Sequence, residues 1–304
     1  MDKNSKICVI YGGISAEREV SLKSGKNMAD ALLKNFPNVS LIDADFSLAE
    51  KLAALKPDLC VIALHGTYGE DGCVQGMLEM MGIPYTGAGV AASAVAFDKL
   101  LAKHTFIDYS LPTPKYAILK EDDTEPPFMP CVVKPARQGS SIGITIVKDK
   151  KDYTAAVEEA FKYDSKVLCE EFIEGKELTI PVMEGEAFPP IWIRPKKGFY
   201  NYENKYTAGM TEYLLDTGLS ASRLKSLKKL AVKAYNACGC RSMARIDFIA
   251  TDRKFYVIEV NTVPGMTATS LVPKSASKLG ISFEDIVKRI AESASLDNKW
   301  KGIR

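Results

Sequence analysis

Histidine is scarce in this chain, with only His65 and His104 among 304 residues. The seven cysteines are scattered, and only Cys238-Gly-Cys240 lie close together, so a zinc site of ordinary Cys/His spacing is excluded. Net charge is nearly absent as well. Forty Lys+Arg against 38 Asp+Glu give +2, which excludes nucleic-acid binding by bulk positive charge. No apolar run approaches the ~18 residues of a membrane span. Met1-Asp2-Lys3-Asn4 leads into a strand-like segment without a secretory h-region, and the odd cysteine count fits reduced thiols. A cytoplasmic chain that touches neither membrane nor nucleic acid is therefore expected. Cys8 and Cys60 sit inside apolar runs, and all the cysteines are expected to pack in the core. Internal repeats, low-complexity segments and the P-loop pattern G-x-x-x-x-G-K-[ST] are also missing.

What is present is a soluble, globular composition: 46% hydrophobic and 26% charged. The length is about twice the ~150 residues of one domain, so two or three compact units are expected. In the first ninety residues, Ile7–Tyr11, Leu41–Asp43 and Leu59–Leu64 read as strands, with helices at about Ser15–Lys34 and Leu48–Leu55 between them. Such an alternation predicts a parallel sheet covered on both faces, with ligands met just beyond the strand C-termini. Those ends are Gly12–Glu17 and His65–Gly72. After about Asp108 the pattern becomes α+β. Leu111-Pro112-Thr113-Pro114 punctuates the chain, Cys131–Lys134 and Ile144–Lys148 form a hairpin, and a helix (about Tyr153–Tyr163) and a strand (Val167–Ile173) follow. Further strands come next, then a helix with Leu224, Leu227, Leu230, Ala231 and Ala234 on one face, a hairpin over Met243–Asn261 and a helical tail from about Leu271. The division is 1–92, 93–175 and 176–304.

Gly87-Ala88-Gly89-Val90-Ala91-Ala92 matches a relaxed G-x-G-x-x-[GA] fingerprint, but it follows several strands and reads as a tight helix start. Gly139-Ser140-Ser141-Ile142-Gly143 follows Lys134 and joins two strands. Its backbone N–H groups and hydroxyls suit an anion nest, although the loop alone fits a plain hairpin turn equally well. Glu170 and Glu177 flank Phe172-Ile173; a carboxylate at a strand end can hold a ribose hydroxyl or an adenine amino group, and alone it would read as solvated. The richest pattern is the last hairpin. With Asp247 opposite Glu259, residues Ile246, Phe248 and Ala250 meet Val260, Ile258 and Tyr256 on an apolar face, while Arg245, Asp247 and Ile249 meet Asn261, Glu259 and Val257 on the other. Asp247, Glu259 and Asn261 then present hard oxygen donors suited to Mg²⁺ shared with phosphates. The competing reading is that Arg245 merely neutralises the two acids.

Lys99, Lys134, the Gly-Ser-Ser loop, Glu170 and Asp247/Glu259/Asn261, in this order, resemble the ATP-grasp superfamily. Gly12–Ser21, Ala63-Leu64-His65-Gly66, Gly69–Gly72, Pro84–Gly87, Ala244–Asp247 and Glu259–Thr267 are similar to the D-alanine–D-alanine ligase family, over about residues 7–290. The resemblance implies a three-domain ATP-grasp architecture, α/β and α+β, with an N-terminal parallel α/β domain and ATP between the central and C-terminal domains. It implies ATP-dependent joining of two D-alanines through a D-alanyl phosphate, for peptidoglycan. It assigns Lys99, Lys134 and Ser141 to the phosphates, Lys205 to the γ-phosphate, and Glu170, Glu177, Phe172 and Ile173 to adenine and ribose. Asp247, Glu259 and Asn261 take two Mg²⁺ ions, which Mn²⁺ can replace. Glu17 takes the first amino group with His65 nearby, Arg245 and the Gly265 N–H face the oxyanion, and Ser270 and Leu271 hold the second carboxylate. Glu17, Ser140 and Tyr206 form a chain closing a lid over about 196–211, and a homodimer is implied. A D-lactate-type ligase and a non-catalytic ATP-grasp nucleotide-binding protein are the alternatives left open.

Overall fold

Short, wholly apolar runs form the first sheet. In the computed structural model, which describes residues 1–196, 210–267 and 269–297, β1 (Ile7–Tyr11) lies between β2 (Val39–Asp43) and β3 (Leu59–Ile62), all parallel. Burial on both faces explains why these strands do not alternate. Helix α1 begins at Arg18, later than the sequence pattern suggests, because residues 12–17 are spent on the glycine turn beyond β1. Helix α2 covers Leu48–Leu55 and α3 Cys73–Met81.

The Gly87–Ala92 segment is indeed a helix start. Gly89 is the N-cap of α4 (Val90–Phe97), and Val90 N–H donates to Asp297 Oδ2 at 3.0 Å. A Cβ on Gly89 would collide with that carboxylate. An acid supplied from far along the chain fills the position an anion would take.

Helix α5 (Lys99–Asp108) leads into an antiparallel sheet of order β4-β7-β5-β6: β4 is Tyr116–Leu119, β5 Cys131–Pro135, β6 Thr145–Val147 and β7 Val167–Glu171. Helix α6 (Tyr153–Phe161) packs on it. A third, antiparallel sheet runs β11-β10-β8-β12-β13, with β9 beside β8. Here β8 is Lys176–Met183, β9 Glu186–Ala187, β10 Ile191–Pro195, β11 Thr211–Leu214, β12 Met243–Ala250 and β13 Phe255–Asn261. Helix α7 (Ala221–Ala237) buries Leu227, Ala231 and Ala234 on this sheet, whereas Leu224 and Leu230 are only half-buried.

The units share cores. Ala96, Ala102 and Phe106 from α4 and α5 pack with the apolar face of the third sheet. Helices α8 (Leu271–Ser277) and α9 (Phe283–Glu292) return to the first unit, where Ile286, Val287 and Ile290 join Val9, Met28 and Leu32.

Two expectations need correction. Cys73 is exposed, not packed in the core. It opens α3 at the surface, with its N–H bonded to Asp71, while Cys8, Cys60, Cys131, Cys169 and Cys238 are buried. The hairpin register holds for Arg245–Asn261, Ile246–Val260 and Asp247–Glu259, but a bulge follows, and Phe248 pairs with Val257, not Ile258. The bulge buries Phe255 and Val257 and leaves Ile258 on the same face as Glu259.

Candidate active site

Strand ends and one helix start supply the cationic end of the site. Lys134 lies near the end of β5 and Lys99 opens α5; both are buried. Lys99 Nζ donates to Gln138 O at 2.6 Å and stands 3.8 Å from Glu259 Oε2, so it bridges the Gly/Ser loop and the last hairpin. Burial pushes the Lys99 pKa down, and Glu259 opposes that shift. In the loop, Ser140 (φ +53°) and Ser141 (φ +60°) take left-handed backbone that non-glycine residues rarely adopt. Such strain costs about 1–3 kcal/mol per residue and persists only where neighbours enforce it. The neighbours are visible. Asp164 accepts from Arg137 N–H at 2.8 Å and from its guanidinium, and the Ser140 hydroxyl donates to Glu17 Oε1.

Beyond these lysines lies an open cleft of about 930 Å³, solvent at its mouth included. Lys99, Lys134, Ser140, Ser141, Glu170, Phe172, Ile173 and Glu177 all line it. Val132, Ile249 and Ile258 complete its apolar walls, and none of the three stands out in the sequence as a site residue. Glu170 is held in a buried ion pair, 2.6 Å from Lys134 Nζ and 3.2 Å from Lys103 Nζ. Burial alone would raise its pKa; Lys134 and Lys103 outweigh that and hold it below the ordinary carboxylate value. Lys103 is missing from the sequence-derived set. It is 1% exposed, and burial pushes its ammonium down to about 8. Its spacing of four from Lys99, which puts both on one helix face, is the signal that could have found it.

Across the cavity, Arg245 grips Asp247 with two bonds, Nε–Oδ1 at 3.0 Å and Nη2–Oδ2 at 2.8 Å. Thr179 Oγ1 adds a bond of 2.5 Å to Asp247 Oδ1, another partner the sequence does not announce. Arg245 thus does pair with one of the acids, as the competing reading has it, while Glu259 lies toward Lys99. Among the described residues no group of three His, Cys, Asp or Glu forms a metal cluster; the oxygen set is two carboxylates and one amide. Asn261 Oδ1 is buried and has no hydrogen-bond partner among the described residues. An orphaned buried carbonyl oxygen beside two acids fits a hard divalent cation.

The other end of the site is built around His65, which is buried. His65 Nδ1 is 3.5 Å from Glu70 Oε1, and Nε2 is 3.4 Å from Ser24 Oγ. Burial raises the Glu70 pKa, with His65 opposing. Ser24 Oγ also accepts the Met266 N–H at 3.1 Å, tying His65 to the loop that carries Gly265. Ser270 Oγ accepts the Thr267 N–H at 2.9 Å and lies beside Gly265. Ser270 is the N-cap of α8 and Leu271 its first residue, so the Leu271 N–H faces out of the helix start. Glu17 stands at the start of α1, close to both Gly66 and Gly139. Lys205 and Tyr206 lie outside the described residues, as does most of the 196–211 segment; its ends meet through Lys196 N–H to Met210 O at 2.9 Å.

The family profiles described as D-ala D-ala ligase N-terminus and C-terminus match residues 44–88 and 100–292. A D-alanine–D-alanine ligase of Syntrophotalea carbinolica is 48% identical over 298 residues, covering 97% of each chain. That of Geotalea uraniireducens is 45% identical over 300 residues, again covering 97% of each. Among solved structures, the D-alanine–D-alanine ligase of Bacillus anthracis complexed with ATP superposes with a TM-score of 0.82 at 33% identity, over 95% of this chain and 97% of that one. A buried lysine pair facing an oxygen-donor hairpin, in a chain matched over 97% of its length, leaves one assignment: the chain has the ATP-grasp fold and belongs to the D-alanine–D-alanine ligase family.

Proposed function

We propose that the chain is an ATP-dependent carbon–nitrogen ligase that joins two D-alanines into D-alanyl-D-alanine for peptidoglycan, in the cytoplasm and as a homodimer. The observation that carries the reading is the contact of Ser140 with Glu17. It sets the phosphate loop directly against the place where an amino acid's ammonium would bind, which a two-step transfer between them requires.

In this reading Lys99, Lys134 and Ser141 hold the phosphates of ATP, and Glu177, Phe172, Ile173 and Ile258 hold its nucleoside, with Glu170 fixing Lys134 from beneath. Glu17 holds the first D-alanine's ammonium, with His65 behind it. That amino acid's carboxylate oxygen bonds to the γ-phosphorus as the bond to the β–γ bridging oxygen breaks, giving ADP and an acyl phosphate. The second D-alanine, its carboxylate on Ser270 and the Leu271 N–H, adds its amine to the acyl carbon. The oxyanion faces Arg245 and the Gly265 N–H, an arrangement worth about 3–4 kcal/mol in comparable sites; phosphate then leaves and the nitrogen loses its proton. Asp247, Glu259 and Asn261 would hold Mg²⁺ (or Mn²⁺), whose charge, when bound, offsets that of the phosphate oxygens. Lys205 and Tyr206 are assigned to the γ-phosphate and the lid on the resemblance alone. The three-unit division at about residues 92 and 175 belongs to the same proposal.

The test is phosphate release with D-alanine and D-lactate in competition, with products identified by mass. Release strictly dependent on D-alanine, with dipeptide as the product, is expected. A depsipeptide product would replace the reading with that of a D-lactate-type ligase, and no turnover with either would leave a nucleotide-binding protein.

A further inference from the structure

We propose that Lys103 is a positioning residue for the nucleotide: it clamps Glu170 beneath Lys134 and, through Thr113, locks the cavity's floor to the bulged strand of the last hairpin. The inference rests on the cavity being the nucleotide's seat, as argued above. Lys103 touches no part of the space a ligand would fill; it acts through its neighbours.

An ammonium with no water around it needs its donors used, and those of Lys103 are. Nζ donates to Thr113 Oγ1 at 2.9 Å and to Pro114 O at 3.0 Å, lies 3.2 Å from Glu170 Oε1, and stands 5.2 Å from the Tyr116 ring centroid. Each partner belongs to a different part of the seat. Glu170 is the carboxylate that fixes Lys134. Pro114 lines the cavity. Thr113 passes the contact on, donating to Val257 O at 3.0 Å, while the Val257 N–H donates to Pro112 O at 2.8 Å. Val257 is the residue just before the bulge that turns Ile258 and Glu259 onto one face.

The arrangement has a consequence for Lys134. With one lysine, Glu170 would form an ordinary pair; with two, its carboxylate stays ionised although buried, and Lys134 has one fixed place to stand. Remove Lys103 and Glu170 swings fully to Lys134, drawing its ammonium away from the cavity, while Thr113 loses the donor that orients it. Both walls of the nucleotide seat loosen together.

The test is calorimetric titration of ADP, in saturating Mg²⁺, into the full-length native chain and into the Lys103→Met, Thr113→Val and Lys134→Met variants. Lys103→Met should weaken ADP binding at least tenfold while leaving the KM for D-alanine within about twofold; because it also strips a partner from a buried carboxylate, a lower melting temperature is expected with it. A merely structural lysine would give the lower melting temperature with unchanged ADP affinity, and that result would overturn the proposal. Should Lys103→Met not fold, Thr113→Val keeps both lysines beside Glu170 and removes the hydroxyl that accepts from Lys103 and donates to Val257 O; it should weaken ADP roughly threefold or more, and native affinity would overturn the proposal equally. Lys134→Met separates the two levels of argument. If it loses ADP while Lys103→Met does not, the seat stands and the role of Lys103 falls. If Lys134→Met binds ADP normally, the seat itself is wrong and both fall.

Discussion

The hydroxyl of Ser140 donates to the carboxylate of Glu17, two residues 123 positions apart in the chain. One sits in a loop of strained backbone, the other at the start of a helix in a different unit. In the proposed mechanism Glu17 receives an ammonium and the Ser140 loop holds phosphate, so this bond would couple the two seats. Ser140→Ala should raise the KM for D-alanine roughly tenfold, the scale of a lost hydrogen bond to a charged group at about 1–3 kcal/mol. Gly139→Ala should do more, because the added Cβ would press on Glu17. Steady-state kinetics with D-alanine and ATP varied in turn would check both. Effects confined to ATP would detach Ser140 from the amino-acid site.

Arg245 is buried against Asp247, and its charge is expected to matter most when an oxyanion forms. Arg245→Ala should lower kcat about a hundredfold or more, from about 3 kcal/mol of lost transition-state stabilisation. If only the Michaelis constants move, Arg245 is a uniform binding residue.

The bulge puts Ile258 and Glu259 side by side on the cavity wall, where the proposal gives them different roles. Glu259→Gln should raise the Mg²⁺ concentration needed for half-maximal rate and leave the melting temperature unchanged. Ile258→Ala should instead raise the KM for ATP about fivefold, on the scale of about 1 kcal/mol for lost apolar contact, with the Mg²⁺ requirement unaltered. A native Mg²⁺ titration in Glu259→Gln would remove that residue from the metal site.

Asp164 anchors the first residues of the phosphate loop. Burial would raise its pKa, but Arg137 outweighs this and holds it below the ordinary 3.8. A carboxyl with a lowered folded pKa binds fewer protons folded than unfolded. Its contribution is therefore complete above about pH 4 and is lost as pH falls through the folded value. Asp164→Asn should lower the melting temperature at pH 7 and flatten its fall between about pH 4 and pH 2. Thermal melts across that range decide the matter; parallel curves for the native and variant chains would contradict it.

Much of this was readable in advance because periodicity and spacing carry it. The runs Ile7–Tyr11 and Leu48–Leu55 fall where the sequence pattern puts them, and Asp247 does face Glu259. The bulge was not readable, since Phe255-Tyr256-Val257-Ile258 offers two apolar alternations and only packing against β12 chooses Phe255 and Val257 for the core. Lys103 was hidden for another reason. A lysine in a helix is normally solvated, and the burial of this one depends on Thr113, Pro114 and Glu170, none of which is local to it. Ser24 and Thr179 are small hydroxyl residues whose roles come wholly from partners far away in sequence.

The sharing of one core by residues 7–63 and 183–291 bears on how the chain is made. β1 and α1 are synthesised well before Ile286, Val287 and Ile290, which cover part of the same core. Until that helix has left the exit tunnel the segment of β1 and α1 keeps part of its apolar face uncovered, and its final packing waits on residues far downstream. Stop codons within the last helices should yield chains whose first unit, not their last, is the part that chaperones and proteases detect.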